Sequence, residues 1–215
     1  VKSPLGFREL LKDLNAVRAE EKARKIVEAR LRSFKKTGRG SSKDIFRELV
    51  FCILAANYTA SGSMRIVEVL GDRLLELDST SLERELRRLG HRHPHARAMY
   101  IVEARRKLDQ IVNVIKDVED EYELREWLVE NVKGLGYKEA SHFLRNIGYE
   151  GLAIIDFHIL RLLQRYGLIS EVKRLGKRRY LEIEDLLRRI AQEAGMTLAE
   201  LDLYLWYMDS GKILK

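Results

Sequence analysis

The sequence predicts an all-α protein. Apolar residues recur at i, i+3, i+4 spacing along most of the chain, strand-like alternation is nearly absent, and proline occurs only at Pro4 and Pro94. The spacing predicts helices at 6–37, 43–57, 62–76, 79–88, 95–116, 121–132, 137–147, 156–166, 180–194 and 198–208. The first stops at Gly38 and Gly40. The second opens on the serines of "SSKD" (41–44) and runs through the apolar "LVFCILAA". The helix at 79–88 has Ser79 or Thr80 as its cap and acids in its first turn, and it stops at Gly90. Gly134, Gly148, Gly167 and Gly195 close later helices, and Thr197 with Glu200 forms a capping box for the last. There is no internal repeat and no low-complexity segment. The basic stretch 170–179, "SEVKRLGKRR", reads as a solvated connector or as a phosphate contact.

The length, 215 residues, fits one sizeable domain or two small ones sharing an interface, and 46% hydrophobic residues suffice for a core. A net charge of +7 and a pI near 9.4 suit a partner such as nucleic acid or an anionic surface, and equally suit a protein with spare lysines. A single cysteine, Cys52, forms no internal disulfide and no cysteine-ligated cluster, and its apolar surroundings predict a buried small hydrophobe. No run of about 18 uncharged apolar residues exists, so no membrane span is expected. "VKSPLGF" has no signal-peptide pattern, and the expected location is cytoplasmic.

The segment "KGLGYKEASHFLRN" (133–146) joins two amphipathic stretches, "EYELREWLVENV" and "YKEASHFLRNI", through a turn with two glycines. Such a turn allows close backbone approach and leaves N–H groups at the second helix start that suit a phosphate, without reading base sequence. It serves equally as a plain helical corner. On a helical wheel Ala140, Phe143, Leu144 and Ile147 share one face, while Lys138, Ser141, His142 and Arg145 share the other, which is expected to point outward. The positive helix end disfavours a charged ammonium at Lys138. A lowered pKa is therefore expected there, and an uncharged amine is a nucleophile. Eighteen residues on, Asp156 follows "AII" and opens a helix, where it reads as an N-cap. A carboxylate held ionised at a helix start also suits a developing sugar cation.

These residues resemble the helix-hairpin-helix, Gly/Pro-Asp superfamily of base-excision DNA glycosylases. "KGLGYKEASHFLRN", "AIIDFHILRL" and "DLYLWYMDSGKILK" are similar to the archaeal and bacterial type 2 8-oxoguanine DNA glycosylases, over nearly the whole chain from "FRELVFCILAANYTA" onward. The Phe after Asp156 departs from the commoner pattern. The resemblance implies the helix-hairpin-helix glycosylase fold, with two helical lobes and the active site in the cleft between them. One lobe is expected from 1–45 with 151–215. The other, 46–150, is a helical barrel ending in the hairpin at about 121–147. It implies Lys138 as the Schiff-base nucleophile and Asp156 as the catalytic aspartate. Lys133, Gly134, Leu135 and Gly136 would grip the DNA backbone.

Further expectations follow from the same resemblance. Asn57, in the polar stretch "NYTASGSMR", would face the minor groove. His91 and Arg92, in "LGHRHPHAR", would form the wedge. Three alternating histidines there with no acidic or cysteine partner nearby do not predict a metal site. Beside the catalytic pair, His142 is expected to touch phosphate and His158 to pack. Lys215 would contribute to lesion recognition, and Trp206 and Tyr207 are expected in the core. The activity implied is excision of 8-oxoguanine through a lysine Schiff base, then β-elimination 3′ to the lesion, by a monomer acting on double-stranded DNA at the nucleoid. No cofactor and no iron–sulfur cluster is implied, although hairpin carbonyls in this superfamily are able to hold a cation. The rival readings are a non-catalytic hairpin module that grasps DNA backbone, and a glycosylase for oxidised pyrimidines.

Overall fold

The computed structural model describes residues 3–213. Among them are α1 (Pro4–Ala19), α2 (Glu21–Gly38), α3 (Ser42–Ala55), α4 (Ala60–Leu70), a 3-10 segment (Gly71–Leu75), α5 (Ser79–Arg88), α6 (Pro94–Arg106), α7 (Leu108–Asp117), α8 (Glu121–Asn131), α9 (Tyr137–Asn146), α10 (Phe157–Arg165), α11 (Lys177–Ala194) and α12 (Leu198–Ser210). The described residues contain no strand, so the all-α class holds.

Three predicted helices are each divided. The span 6–37 breaks at Glu20, whose backbone is extended (φ −67°, ψ 115°). The buried residues explain the break. Leu14 of α1 and Ala23 of α2 are nine residues apart, two and a half turns, so an unbroken helix would bury them on opposite faces. The span 95–116 breaks at Lys107, whose ammonium donates to the Asn131 carbonyl at 2.9 Å. The span 62–76 becomes α4 and the 3-10 segment, because Gly71 (φ +50°) ends the α-helix. The cap of α5 is Asp78, not Ser79 or Thr80, and its carboxylate accepts from Ser81 N–H at 2.7 Å. A reciprocal capping box between Ser41 and Asp44 opens α3, and Thr197 caps α12 through Glu200 N–H.

The described residues form two compact units, 3–34 with 149–213, and 35–148. The first division, at 34/35, falls inside α2, where the sequence reading places it at 45/46. In the first unit α1 packs on α11 and α12, and α10 packs on α12, around Leu10, Leu14, Leu162, Leu163, Ile190 and Leu203. Gly6 lies where a Cβ would come within 1.9 Å of the Tyr166 carbonyl oxygen, so only glycine lets α1 approach that backbone. In the second unit α3 is the axis. Its residues from Leu49 to Ala55 are all buried, including Cys52, and α4, α6, α7 and α9 pack around it. The hairpin of α8 and α9 closes this unit at residues 132–136.

Candidate active site

The turn between α8 and α9 is narrow. Leu135 is buried, and its N–H donates to the Val132 carbonyl at 3.2 Å. Its side chain anchors the turn in the core, and its N–H is spent on the turn itself. Gly134 has φ +92°, and a Cβ there would meet the Tyr100 ring at 2.7 Å. Gly136 is the N-cap of α9 and offers no side-chain acceptor to the first-turn N–H groups. Lys133, largely exposed, pairs with Glu103 at 3.0 Å, an exposed contact that a phosphate is able to displace. Backbone strain and ring contact coincide at Gly134. Gly134→Ala is expected to lower stability by about 1–3 kcal/mol, read by urea denaturation, where a substitution at an ordinary turn position would leave the midpoint unmoved.

Lys138 stands in the first turn of α9, one-quarter exposed, with its ammonium 3.5 Å from the Glu139 carboxylate. Glu139 is the residue that suits this helix end electrostatically. Beyond the first turn the expected outward face does not exist. Ser141, His142, Arg145 and Asn146 are all buried. The reason is that α9 is sandwiched by α3 and α8, and its polar side meets polar partners there. Arg125 donates to Ser141 Oγ at 3.2 Å, Arg145 Nε to Asn146 Oδ1 at 2.9 Å, and Asn146 Nδ2 to Glu48 Oε1 at 2.6 Å. The His142 ring lies edge-on to Phe51, 5.4 Å between centroids. The expected phosphate contact of His142 is therefore corrected, because the ring is enclosed.

A second pair of loops meets in the same unit. Asn57 is exposed at the end of α3 with φ +60°, a left-handed conformation that asparagine tolerates. Its neighbours are tied down. The Ala56 carbonyl accepts from Arg97 Nη2 at 2.6 Å, and the Tyr58 hydroxyl donates to the Gly90 carbonyl at 3.2 Å. His91 does not project as a wedge, and that expectation is corrected. Only 4% of it is exposed, and its ring bridges the Leu54 carbonyl and the His93 N–H, each at 3.0 Å. The exposed tip consists of Arg92 and His93. The Arg97 guanidinium also stacks 5.6 Å from the Tyr100 ring, the ring against Gly134. Tyr58 thus ties the loop at 56–58 to Gly90, and Arg97 with Tyr100 links it to the turn at 133–136.

Burial holds His91 below the ordinary imidazole value of 6.5, outweighing the carbonyl of Leu54, with Arg97 and His93 pushing the same way as burial. Tyr58, whose ring lies 4.4 Å away, adds no charge. The neutral ring thus contributes stability that is complete above 6.5 and is lost as pH falls through the lower folded value. Between pH 7 and 5 the melting temperature of His91→Gln is expected to fall less than that of the unaltered protein.

In the other unit Asp156 caps α10, its Oδ1 accepting from Ile159 N–H at 3.0 Å. Phe157 beside it is exposed, with the Arg161 guanidinium 5.0 Å over its ring. His158, expected to pack, is instead 31% exposed at its side chain. It is oriented by Asp209, whose Oδ2 lies 2.6 Å from Nδ1, and Arg161 clasps the same carboxylate. Burial alone would raise the Asp209 pKa, but the hydrogen bonds from Arg161 and His158 hold it below the usual range. Trp206 is half-buried, not core, and its ring stands 5.0 Å from His158. Tyr207 is likewise half-buried. The sequence signal for this cluster was faint. His158 and Arg161 are three apart on one helix face, but Asp209 lies 48 residues beyond Arg161. Lys215 lies outside the described residues.

Residues 12–196 match the family model described as 8-oxoguanine DNA glycosylase. The chain belongs to that family. An 8-oxoguanine DNA glycosylase/AP lyase of Korarchaeum cryptofilum is 49% identical over 98% of this chain and 100% of that protein. One from Methanocaldococcus jannaschii is 48% identical over 96% of this chain and 99% of that protein. The crystal structure of the M. jannaschii glycosylase/lyase in complex with a 15mer DNA containing 8-oxoguanine superposes with a TM-score of 0.92, at 47% identity, covering 96% of this chain and 100% of that one. The Thermotoga maritima 8-oxoguanine DNA glycosylase superposes at 0.90, with 46% identity over 97% and 100% of the two chains. The matched span, residues 12–196, runs through the hairpin and the starts of α9 and α10. No helix of the described residues is long and apolar enough to cross a membrane.

Proposed function

We propose that this chain is a bifunctional DNA N-glycosylase and AP lyase of base-excision repair, which excises 8-oxoguanine from duplex DNA and nicks the strand 3′ to the vacated site. The observation that carries the proposal is Lys138. It is a partly exposed primary amine in the first turn of a glycine-opened hairpin helix, in a chain of the 8-oxoguanine glycosylase family. An extruded nucleotide presents its C1′ to such an amine. The uncharged Nζ of Lys138 attacks C1′, the C1′–N9 bond breaks with its electron pair leaving on the base, and the base takes up a proton. The Asp156 carboxylate, at the start of α10, stabilises the cationic sugar in between. The nitrogen lone pair then breaks the C1′–O4′ bond, O4′ takes up a proton from water, and an iminium forms on Lys138. Loss of a C2′ proton then expels the 3′ phosphate, and hydrolysis of the imine returns the amine.

The remaining roles follow from where the residues lie. Gly134, Gly136 and Lys133 approach the DNA backbone through the hairpin. Asn57, Arg92 and His93 are the exposed groups for the opened stack. His158, aimed by Asp209, supplies a phosphate contact beside Asp156. Lys215 is proposed for lesion recognition on the family resemblance. The reaction asks for an amine and a carboxylate and invokes no cofactor, and the protein would act as a monomer on the nucleoid in the cytoplasm. The test is a duplex panel. A duplex with 8-oxoguanine opposite cytosine should release the free base and leave a 3′ unsaturated aldehyde, while undamaged and thymine-glycol duplexes stay intact. Equal cutting of the thymine-glycol duplex, or binding without any cutting, would contradict the proposal.

A further inference from the structure

Two of the contacts that hold the loop presenting Arg92 and His93 pass through one ring, the imidazole of His91. His91 N–H donates back to the Leu86 carbonyl at 2.9 Å, and Gly90, at φ +81°, turns the chain outward. The Gly90 carbonyl is held by the Tyr58 hydroxyl. The His93 N–H, at the tip itself, is held by His91 Nδ1. The other nitrogen of that ring reaches the Leu54 carbonyl in the last turn of α3. These partners fix the tautomer. Nδ1 accepts an amide proton, so Nε2 carries the ring proton and donates it to Leu54. The Tyr58 ring covers one side of the imidazole, at 4.4 Å between centroids. The clip therefore joins the Arg92–His93 tip to the segment that leads directly into Asn57, where the backbone is left-handed.

We propose that His91 is a positioning residue for duplex opening, clipping the exposed Arg92–His93 tip to the end of α3 so that the tip and Asn57 hold a fixed spacing. The inference rests on the proposed glycosylase function. Extruding a nucleotide costs unstacking and unpairing, and side chains that occupy the gap oppose its collapse. A tip on a slack loop would be pushed back by the closing stack, whereas one pinned at His93 N–H and Gly90 carbonyl transmits the resistance to α3, the axis of its unit. His91 touches no nucleotide in this account. Its effect should therefore vanish when the lesion is already unpaired.

The experiment is single-turnover excision on two substrates, 8-oxoguanine paired with cytosine in a duplex, and 8-oxoguanine as a single-nucleotide bulge. His91→Ala should lose about tenfold or more on the paired duplex and less than about threefold on the bulge. His91→Gln, whose amide offers one donor and one acceptor, should return the paired rate to within about threefold of the unaltered protein. Tyr58→Phe deletes only the hydroxyl on the Gly90 carbonyl. It is the milder variant should His91→Ala not fold, and it should show the same selectivity, about threefold on the paired duplex alone. Equal losses on both substrates would reduce His91 to a stability role and overturn the proposal, as would unchanged rates on the paired duplex. If the unaltered protein excised from neither substrate, the glycosylase reading would fail, and this inference with it.

Discussion

Replacing Lys138 with Gln should lower single-turnover excision from an 8-oxoguanine:cytosine duplex by at least about 10³-fold, equivalent to about 4 kcal/mol of barrier. Gln keeps most of the side-chain length and removes what the reaction needs from this residue, a nucleophilic amine. Affinity for the same duplex should stay within about threefold, because the chain retains its other cations and the hairpin glycines are untouched. Stability should move by less than about 0.5 kcal/mol. The lost pair with Glu139 is partly exposed and spans 3.5 Å, and a neutral residue relieves the charge at the start of α9. An enzyme that still forms the nick at the wild-type rate after this change would place the nucleophile elsewhere. Loss of duplex binding in parallel with loss of cutting would favour a hairpin module whose lysine only grips phosphate.

Asp156 offers the second large effect, and here cap and chemistry are separable. The carboxylate accepts from Ile159 N–H, and asparagine caps helices about as well as aspartate. Asp156→Asn should therefore keep its melting temperature while losing roughly 10²- to 10⁴-fold in excision, because the amide has no charge to set against a cationic sugar. Asp156→Ala should lose excision to a similar extent and also about 1 kcal/mol of stability, since the first turn of α10 then lacks its acceptor. If Asn and Ala lost stability together and Asn kept full excision, Asp156 would be a cap and nothing more.

The sequence made the helices legible where a cap or a glycine was read as punctuation, as at Ser41, Thr197 and Gly195, but the predicted helix 62–76 ran through the stop at Gly71. It hid the break at Glu20, where neither glycine nor proline stands and only the half-turn mismatch between Leu14 and Ala23 marks the joint. The helix starts that carry Lys138 and Asp156 were legible because their neighbours announce them. The wheel at α9 misled because it assumes one buried face. A helix enclosed by α3 and α8 buries its polar side as well, once Arg125, Asn146 and Glu48 supply partners. His91 was misplaced for a related reason. A polar residue in a polar loop reads as exposed until the carbonyl that holds it, Leu54 O, is found 37 residues away. The Asp209 cluster has the same character, as Asp209 meets His158 and Arg161 only through tertiary packing.

The measurement that bears most directly on the whole account is borohydride trapping on an 8-oxoguanine:cytosine duplex, followed by mass spectrometry of the digested adduct. The account predicts a covalent protein–DNA species on the damaged duplex alone, with the modification on the peptide carrying Lys138, and none from Lys138→Gln. A trapped adduct on any other lysine, or efficient base release with no trappable intermediate, would contradict it.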